Sequence, residues 1–391
     1  MRLLSYSATT HALSVQIQPF RSKALTLRYE FDSPVAASSD AAVIASVLPS
    51  MATGESLQVD FPVSAALTVA IPRVQVVALS WWPEYFKPIA VSVAAVSKVP
   101  PVTDISGAFY SLGVDSSYTA LTAPGLTHLL FMAGVEYPSP TLDRGVEARV
   151  RDVAGALQKA VITGRTNLRE VFPLAWPEYY HGAGLASVAV AAGLREGLIS
   201  SAHALNHLFF WGSHRLLDPL WSTEATRIVH YGDISRAEKT VIIATNQTIL
   251  SNLRVCVTNK GGGYNCGKCW KCLRTMIPLA AIDALKRAPF PKLAVHAPGM
   301  EDASAMAFGE ELVELLNEIA PASPLLREVR RKVSAARIKL AAKEMLRQTP
   351  LRAIYRRARG IRVPCRRLMG SIPPLRIDGQ IAPGPACNNG W

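Results

Sequence analysis

The sequence lacks any long hydrophobic run and is poor in charged and aromatic residues. Charged residues make up 18% and aromatic residues 7% of the 391 positions. No stretch reaches about 18 uninterrupted apolar residues, so no membrane-spanning helix is expected. The N-terminal segment MRLLSYSATTHALSV has no apolar core of signal-peptide length. We therefore expect a cytoplasmic protein, and its 49% hydrophobic residues are sufficient for a sizeable buried core.

Acidic residues are nearly absent from the C-terminal part of the chain. Residues 321–391 contain 16 of the 42 Lys and Arg residues but only 3 of the 29 Asp and Glu residues. The other 26 basic and 26 acidic residues cancel, so the formal net charge of +13 belongs to this tail. A basic field over the whole protein is thereby excluded, and the tail is the segment that would contact RNA, an anionic membrane or an acidic partner.

Cysteine is also scarce, and four of the six cysteines lie within 17 positions: Cys256, Cys266, Cys269 and Cys272. Disulfides are rare in a reducing compartment, so this cluster favours a metal. Four thiolates suit tetrahedral Zn²⁺, and such a closed ligand set would hold a loop together and would not activate water. An iron–sulfur cluster is the main alternative, although a ferredoxin-like run places a proline after its last cysteine. Unliganded, reduced thiols are the other alternative.

Hydrophobic patterning divides the chain into three parts. Residues 1–100 read as a β-rich N-terminal domain with one helix, suited to a lid or to an oligomer surface. Residues 103–300 alternate between strands and helices, which predicts a doubly wound parallel α/β sheet. Residues 301–391 are helical at first, then basic and partly disordered. The boundary is expected at residues 98–103.

The predicted strands are residues 14–18, 25–31, 57–61, 67–71, 89–96, 105–110, 128–133, 160–163, 197–201 and 294–296. The predicted helices are residues 40–51, 142–159, 182–194, 275–286, 310–319 and 325–346. In a doubly wound sheet, the segments that follow the strands converge on one cleft, so their polar residues are candidates together.

A loop of small residues follows the apolar run 105–110, and it consists of Ser111, Leu112, Gly113, Val114, Asp115, Ser116 and Ser117. Such a loop turns several backbone N–H groups and hydroxyls toward one point and leads into a helix whose N-terminus favours an anion. The sequence therefore predicts a phosphate site here. A tight strand-to-helix turn with an N-cap serine is the structural alternative.

The loop resembles the pyrophosphate loop S-G-G-x-D-S of the PP-loop ATP-pyrophosphatase (adenine nucleotide α-hydrolase-like) superfamily, with Leu112 in place of the first glycine. The pattern C-x9-C-x2-C-x2-C, about 140 residues later, is similar to that of 7-cyano-7-deazaguanine synthase-like members over residues 103–290. Segments 166–170, 211–214 and 217–224 resemble those of relatives that carry an extra N-terminal domain.

The resemblance implies an activity and a set of site residues. A substrate oxygen would attack the α-phosphate of ATP, releasing pyrophosphate, and a nitrogen or sulfur nucleophile would then displace AMP. Residues 111–117 would hold the leaving phosphates, and Asp115 would hold Mg²⁺. The candidates on the substrate side are His181, His203, His214 and Asp218, supported by Arg169, Lys239, Ser222 and Glu224. Each histidine has a purely structural alternative.

The leading hypothesis is an ATP-dependent, AMP-forming ligase or amidotransferase-like enzyme that adenylates a small carboxylate or amide for attack by ammonia or an amine. A tRNA-modifying, thiolase-like enzyme is one alternative, with the basic tail as its RNA anchor. It requires a reactive cysteine near the nucleotide, whereas Cys365 and Cys387 lie in the tail. A degenerate nucleotide-binding scaffold is the other alternative, because leucine at position 112 opposes a positive φ.

Overall fold

The computed structural model describes residues 1–20, 23–96, 103–135, 144–256, 264–293 and 303–348. The strands are β1 (Arg2–Ala8), β2 (Ala12–Gln18), β3 (Leu25–Phe31), β4 (Leu57–Val63), β5 (Val91–Val96), β6 (Ser106–Phe109), β7 (His128–Ala133), β8 (Ala160–Thr166), β9 (Glu196–Ser200) and β10 (Arg227–Tyr231). The α-helices are α1 (Asp40–Thr53), α2 (Ala65–Trp81), α3 (Val114–Thr122), α4 (Arg144–Ala156), α5 (Leu168–Val171), α6 (His181–Ala191), α7 (Arg236–Ile243), α8 (Gln247–Asn252), α9 (Trp270–Ala281), α10 (Ala303–Ile319) and α11 (Pro324–Gln348).

All ten strands of the described residues belong to one sheet, in the order β10-β9-β6-β7-β8-β3-β2-β1-β4-β5. Strands β6 to β10 are mutually parallel, as the sequence predicts for this part of the chain. The neighbouring strands β1, β2 and β3 are antiparallel, and β4 and β5 are again parallel. The molecule is therefore an α/β protein with a large, mostly parallel, Rossmann-like sheet.

Helices cover both faces of this sheet because its strands bury side chains on both faces. Phe109 and Leu130 enter a core that includes α1, α2 and α6, whereas Ala108 and Leu129 enter a second core that includes α3, α4, α8 and α9. Adjacent residues of one strand thus face opposite cores, as the alternation along a strand requires. This arrangement is the doubly wound pattern expected from the sequence.

The first 96 residues share both sheet and core with the part that follows. Strand β3 pairs antiparallel with β8, placing Tyr29 opposite Thr166. The Tyr29 hydroxyl donates to Ser187 Oγ of α6 at 3.1 Å. The boundary predicted at residues 98–103, of which 98–102 lie outside the described residues, therefore does not separate two sheets.

The strand predicted at residues 67–71 is wrong, since these residues belong to helix α2. The Ser64 side chain caps the helix by accepting from Leu67 N at 3.3 Å. Leu67, Ile71, Val74 and Ala78 are the buried positions, and their spacing of three to four residues is helical. The β-branched residues within 67–71 favour a strand, so the helical spacing of the longer segment was not recognised.

Two strands that the sequence analysis missed lie in the sheet. Strand β1 buries only Leu3, so it lacks the alternation that predicts a strand. Strand β10 has a single fully buried residue, Ile228, and a charged N-terminal residue. The strand predicted at residues 294–296 lies outside the described residues.

Helices α10 and α11 form a hairpin beside α9, confirming the helices predicted at residues 310–319 and 325–346. Leu312 and Leu316 of α10 pack with Val329 and Val333 of α11 in a third, smaller core. No helix in the described part of the chain is long and apolar enough to cross a membrane.

Candidate functional site

The order of strands in the sheet reverses between β6 and β9. From β6 the chain continues to β7 and β8 on one side, whereas β9 and β10 lie on the other side. Ligands of open α/β sheets bind in the crevice at the carboxyl ends of the two strands that flank such a point. The loop 111–117 follows β6 and leads into α3, which contacts the carboxyl end of β9, because Thr119 Oγ1 of α3 is 2.8 Å from Ser200 Oγ.

Leu112 adopts the left-handed conformation, with φ of +62°. This conformation costs a residue with a side chain about 1–2 kcal/mol relative to glycine. The Leu112 side chain is fully buried in the second core, and this burial offsets the cost. Its carbonyl oxygen accepts from Arg254 N at 2.8 Å. Leucine thus takes the positive φ that a glycine would supply at this position.

The hydroxyl groups of the loop hold its shape. Ser116 Oγ lies 3.2 Å from both the backbone N and the Oγ of Ser111, and it donates to the Gly113 carbonyl at 3.2 Å. Gly113 is the N-cap of α3, whose first N–H groups have no partners within the helix. The N-terminus of α3 and two serine hydroxyls therefore meet at the mouth of the crevice.

Asp115 lies in the first turn of α3 and faces two cations. Arg236 Nη1 forms an ion pair with Asp115 Oδ2, and Lys239 Nζ is 3.6 Å from Oδ1. Burial opposes ionisation of the carboxyl group, but the charges of Arg236 and then Lys239 outweigh it and lower the pKa to about 2. Asp115 is ionised at neutral pH, and a Mg²⁺ ion bound here would share it with these cations.

Three buried cations surround this carboxylate. Lys239 Nζ donates to the Ser201 carbonyl at 2.7 Å, and burial lowers the pKa of its amine. Arg274 of α9 is 8% exposed, and burial, followed by the charge of Arg236, lowers its pKa to about 9. A second buried carboxylate, that of Glu311 of α10, belongs to the same cluster. Three cations and two carboxylates leave an excess of one positive charge.

His203 is the predicted histidine that lies near enough to Asp115 of the 111–117 loop for their charges to interact. It is buried, with its ring centroid 4.0 Å from that of Phe209 and 5.8 Å from that of Trp211. Burial lowers its pKa to about 3, although the charge of Asp115 opposes this shift. The imidazole is therefore neutral at pH 7 and packs against two aromatic rings.

Asp218 lies at the centre of a different buried cluster. It accepts hydrogen bonds from Ser213 Oγ at 2.7 Å, from His214 N at 3.2 Å and from His230 Nδ1 at 2.7 Å. A Cβ added to Gly182 would lie 2.0 Å from Asp218 Oδ1, so only glycine fits at this contact. Asp218 thus joins the loop before it, strand β10 and the start of α6.

His230 carries the positive charge of this second cluster. Its ring lies between Asp218 and Asp233, with Nε2 3.3 Å from Asp233 Oδ1. Burial alone would lower its pKa, but the hydrogen bonds to Asp218 and then Asp233 raise it to about 9. The sequence analysis passed over His230, because a histidine within a strand carries no motif.

The remaining predicted site residues make local contacts. The His214 ring packs edge-on against Trp81, 4.8 Å between centroids, and burial lowers the His214 pKa. The His181 ring lies 5.4 Å from that of Trp176. Arg169 donates to the Val135 carbonyl at 3.0 Å, Ser222 Oγ donates to the Pro219 carbonyl at 2.8 Å, and Glu224 accepts from Ala66 N at 2.6 Å.

The four clustered cysteines could hold a metal ion such as zinc. The sulfur atoms of Cys256, Cys266, Cys269 and Cys272 all lie within 4.8 Å of one another, and Cys266 and Cys272 are 3.9 Å apart. Zn–S bonds of about 2.3 Å in a tetrahedron separate the sulfurs by about 3.8 Å. A hydrogen bond from Cys272 lowers the pKa of Cys269 to about 6, which favours the thiolate. The donor set therefore fits a tetrahedral ion.

Asn265 links the segment before Cys256 to the chain beyond Cys272 through four hydrogen bonds. Its Oδ1 accepts from Val255 N at 3.0 Å and from Cys256 N at 3.2 Å, and its Nδ2 donates to the Leu253 carbonyl at 2.9 Å and to the Pro289 carbonyl at 3.0 Å. A buried asparagine beside a cysteine motif is a usable sequence signal. Because the backbone N–H of Arg254 donates to the Leu112 carbonyl, the segment that leads into Cys256 also contacts the 111–117 loop.

Arg236, Arg274 and Glu311 are the site residues that sequence reasoning missed. Ser235 and Glu238 form a capping box, which identifies residue 236 as the first residue of a helix. No local pattern indicates that this arginine meets Asp115, which lies 121 positions earlier.

Comparisons with known proteins give no match, either among family models or among curated proteins and solved structures.

Proposed function

We propose that this chain is an ATP-binding enzyme of the PP-loop type, which adenylates a small carboxylate or amide with release of pyrophosphate. The observation that carries the proposal is the position of the 111–117 loop. It lies at the carboxyl end of β6, where the sheet reverses its order, and leads into the N-terminus of α3. Both features favour binding of a nucleotide phosphate.

The electrostatics of the crevice support the same proposal. Arg236, Lys239 and Arg274 outnumber the carboxylates of Asp115 and Glu311, so the buried cluster favours an added anion. Charge that develops on departing pyrophosphate would be stabilised by cations already in position. His203, which is neutral, lies on the side of the crevice formed after β9 and is suited to meet the acceptor.

The cysteine cluster has a structural role in this proposal. A four-thiolate site has no open position for a substrate, so it holds α9 and the Arg254 segment in place. Arg274, two positions beyond Cys272, then reaches the crevice from α9. The likeness of the loop to S-G-G-x-D-S supports the class of reaction, and the φ of Leu112 removes the main objection to the loop being functional.

Two measurements test the proposal on the full chain with its cysteine site loaded with zinc. Labelled pyrophosphate should exchange into ATP in the presence of Mg²⁺ and a pool of small carboxylates and amides. Calorimetric ATP affinity should fall at least about tenfold in Lys239→Met, because a buried cation at the crevice is lost.

Lys159→Met is the matched control, since Lys159 Nζ donates to the Leu126 carbonyl just before β7. This contact lies at the amino ends of the parallel strands, away from the 111–117 loop. Its ATP affinity should equal that of the parent protein. Absence of ATP binding by the parent protein, or equal affinity in the two methionine variants, would overturn the proposal. ATP binding without exchange would favour the scaffold over the enzyme.

A further inference from the structure

An internal carboxylate lies at the N-terminus of helix α7. Glu311 Oε2 of α10 accepts from the backbone N–H of Arg236, the first residue of α7, at 3.3 Å. The helix dipole attracts negative charge there, and because the capping box of Ser235 and Glu238 satisfies the N–H groups of those two residues, the N–H of Arg236 is left for another acceptor. The carboxylate of Glu311 thus occupies a position that is built for an anion.

Two buried arginines complete this site. Arg236 and Arg274 are 7% and 8% exposed, and only a narrow space, too small for a water molecule, lies between them, bounded by Ala237, Glu311 and Leu312. Within the described part of the chain, Nε of Arg236 is buried without a hydrogen-bond acceptor. A buried N–H group without a partner costs free energy, so this side chain has capacity for a further oxygen ligand.

A single carboxylate uses this site incompletely. Its hydrogen bond to Arg236 N is long at 3.3 Å, and burial raises the pKa of Glu311 although this hydrogen bond and the charge of Arg274 oppose the shift. A tetrahedral phosphate group carries more negative charge and more acceptor oxygens than a carboxylate. Two arginines and a helix N-terminus match those properties better.

The helix that carries Glu311 is attached by a small core. Leu312, Leu315 and Leu316 pack with Ile277 of α9 and Ala237 of α7 in the third core, which is separate from the two cores of the sheet. Elements held by small satellite cores open at a lower free energy than those of the main core. The hairpin of α10 and α11 can therefore move without disrupting the sheet.

We propose that Glu311 caps the part of the Asp115 cluster formed by the N-terminus of α7 with Arg236 and Arg274, and that a phosphate-type anion displaces it by moving α10. Pyrophosphate, the product in the function proposed above, is the ligand of the right chemistry. The inference rests on that function for its physiological ligand, but binding of pyrophosphate at this site requires no turnover. In the capped state, Glu311 competes with the anion.

The first test measures affinity for magnesium-free inorganic pyrophosphate in Glu311→Gln. The substitution keeps size and removes the competing charge, so binding should become about tenfold tighter. Glu310→Gln is the matched control, because Glu310 is the adjacent residue of α10 and pairs with Arg337 on the surface. Its affinity should be unchanged. Equal or weaker binding in a folded Glu311→Gln variant would overturn the proposal.

The second test uses the unmodified protein, so it does not depend on folding of a variant. Pyrophosphate should accelerate amide hydrogen exchange in α10, compared with sodium chloride of equal ionic strength, while exchange in α6 stays constant. Unchanged or slower exchange in α10 would contradict displacement. If pyrophosphate opens α10 but labelled pyrophosphate is never incorporated into ATP, the proposed function alone is refuted. If labelled pyrophosphate is incorporated into ATP but α10 does not open, only this inference is refuted.

Discussion

The clusters around Asp115 and Asp218 are both buried beside the carboxyl ends of parallel strands, but their charges are balanced differently. Asp218 has three donors within 3.2 Å, and one imidazolium lies between two carboxylates. Around Asp115 there are three cations for two carboxylates, and among the described residues the Nε of Arg236 has no acceptor. The Asp218 cluster holds a loop to the sheet, whereas the Asp115 cluster is the one that we propose binds a ligand.

Removal of a metal ion held by the four cysteines should affect the Asp115 cluster much more than the Asp218 cluster, and this is the largest effect that we expect. In Cys266→Ser/Cys269→Ser we expect loss of the bound ion and a decrease in the free energy of unfolding on the order of 5 kcal/mol. ATP affinity should also fall, because Arg254 and Arg274 lose their support, whereas the His230 imidazole signal in NMR should remain. Metal analysis, thermal unfolding and calorimetry measure these effects.

Cys365→Ser/Cys387→Ser is the control for this experiment, since both cysteines lie outside the cluster. It should keep the metal, the unfolding temperature and the affinity of the parent protein. A metal-free protein with unchanged ATP affinity would show that the cysteine segment does not support the loop.

Asp218→Asn should weaken the fold and leave the ligand site intact. Removing the carboxylate leaves His230 without its closest counter-charge, and breaking a buried ion pair in this way costs about 3 kcal/mol. Urea unfolding at pH 7 measures the loss, and ATP affinity should change less than twofold. Asp104→Asn, at an exposed ion pair with Arg195, should cost less than about 0.5 kcal/mol. A larger loss of ATP affinity than of stability in Asp218→Asn would reverse our assignment of the two clusters.

The two clusters should control opposite ends of the pH profile of stability. Folding raises the pKa of His230 from 6.5 to about 9, so its stabilisation is complete below pH 6.5 and is lost as the pH rises through 9. Folding lowers the pKa of Asp115 from 3.8 to about 2, so its stabilisation is present above pH 3.8 and is lost as the pH falls toward 2. These shifts correspond to about 3 and about 2 kcal/mol.

Urea unfolding measured across this pH range tests the assignment. In His230→Asn the decrease in stability between pH 6.5 and 9 should disappear, and the acid limb should lose the contribution of Asp233, whose pKa His230 lowers, but keep that of Asp115. In Asp115→Asn the decrease near pH 2 to 4 should diminish, while the alkaline limb should persist. Loss of both limbs in either variant would show that the clusters are not independent.

The smallest effect is expected at Leu112. Leu112→Gly removes a buried side chain but also relieves the positive φ, so stability should fall by about 2 kcal/mol. Leu112→Ala loses nearly as much packing and keeps the strain, so it should be about 1 kcal/mol less stable than the glycine variant. ATP affinity in Leu112→Gly should stay within threefold of the parent value. Greater stability of the alanine variant would contradict the left-handed conformation.

Much of the sheet follows from the sequence because most of its strands are either alternating or continuous runs of apolar residues. The run His128 to Ala133 was predicted to the residue, since both of its faces are buried. The run 67–71 failed because four apolar residues and Thr68 within a longer helix resemble a strand, and Ser64 was not recognised as a cap. Strand β1 has one buried residue, so its place in the sheet depends on its partners.

The candidate site is less accessible from sequence because its members come from distant segments. The loop and the cysteines have motifs, and His203 was found because it follows a strand. Arg236, Arg274 and Glu311 belong to three helices, and only the fold brings their charges to Asp115. Asp218 was predicted as a site residue, but its hydrogen bonds connect it to the loop and to β10.

The antiparallel pairing of β3 with β8 has a practical consequence for any shortened form of this protein. A chain that starts at residue 103 would expose the backbone donors and acceptors of β8 along one side, next to apolar surface that α1 covers in the full protein. Unpaired strands of this kind recruit other chains and promote aggregation. The first 31 residues thus protect the sheet, and we expect that solubility will require them in any fragment prepared for study.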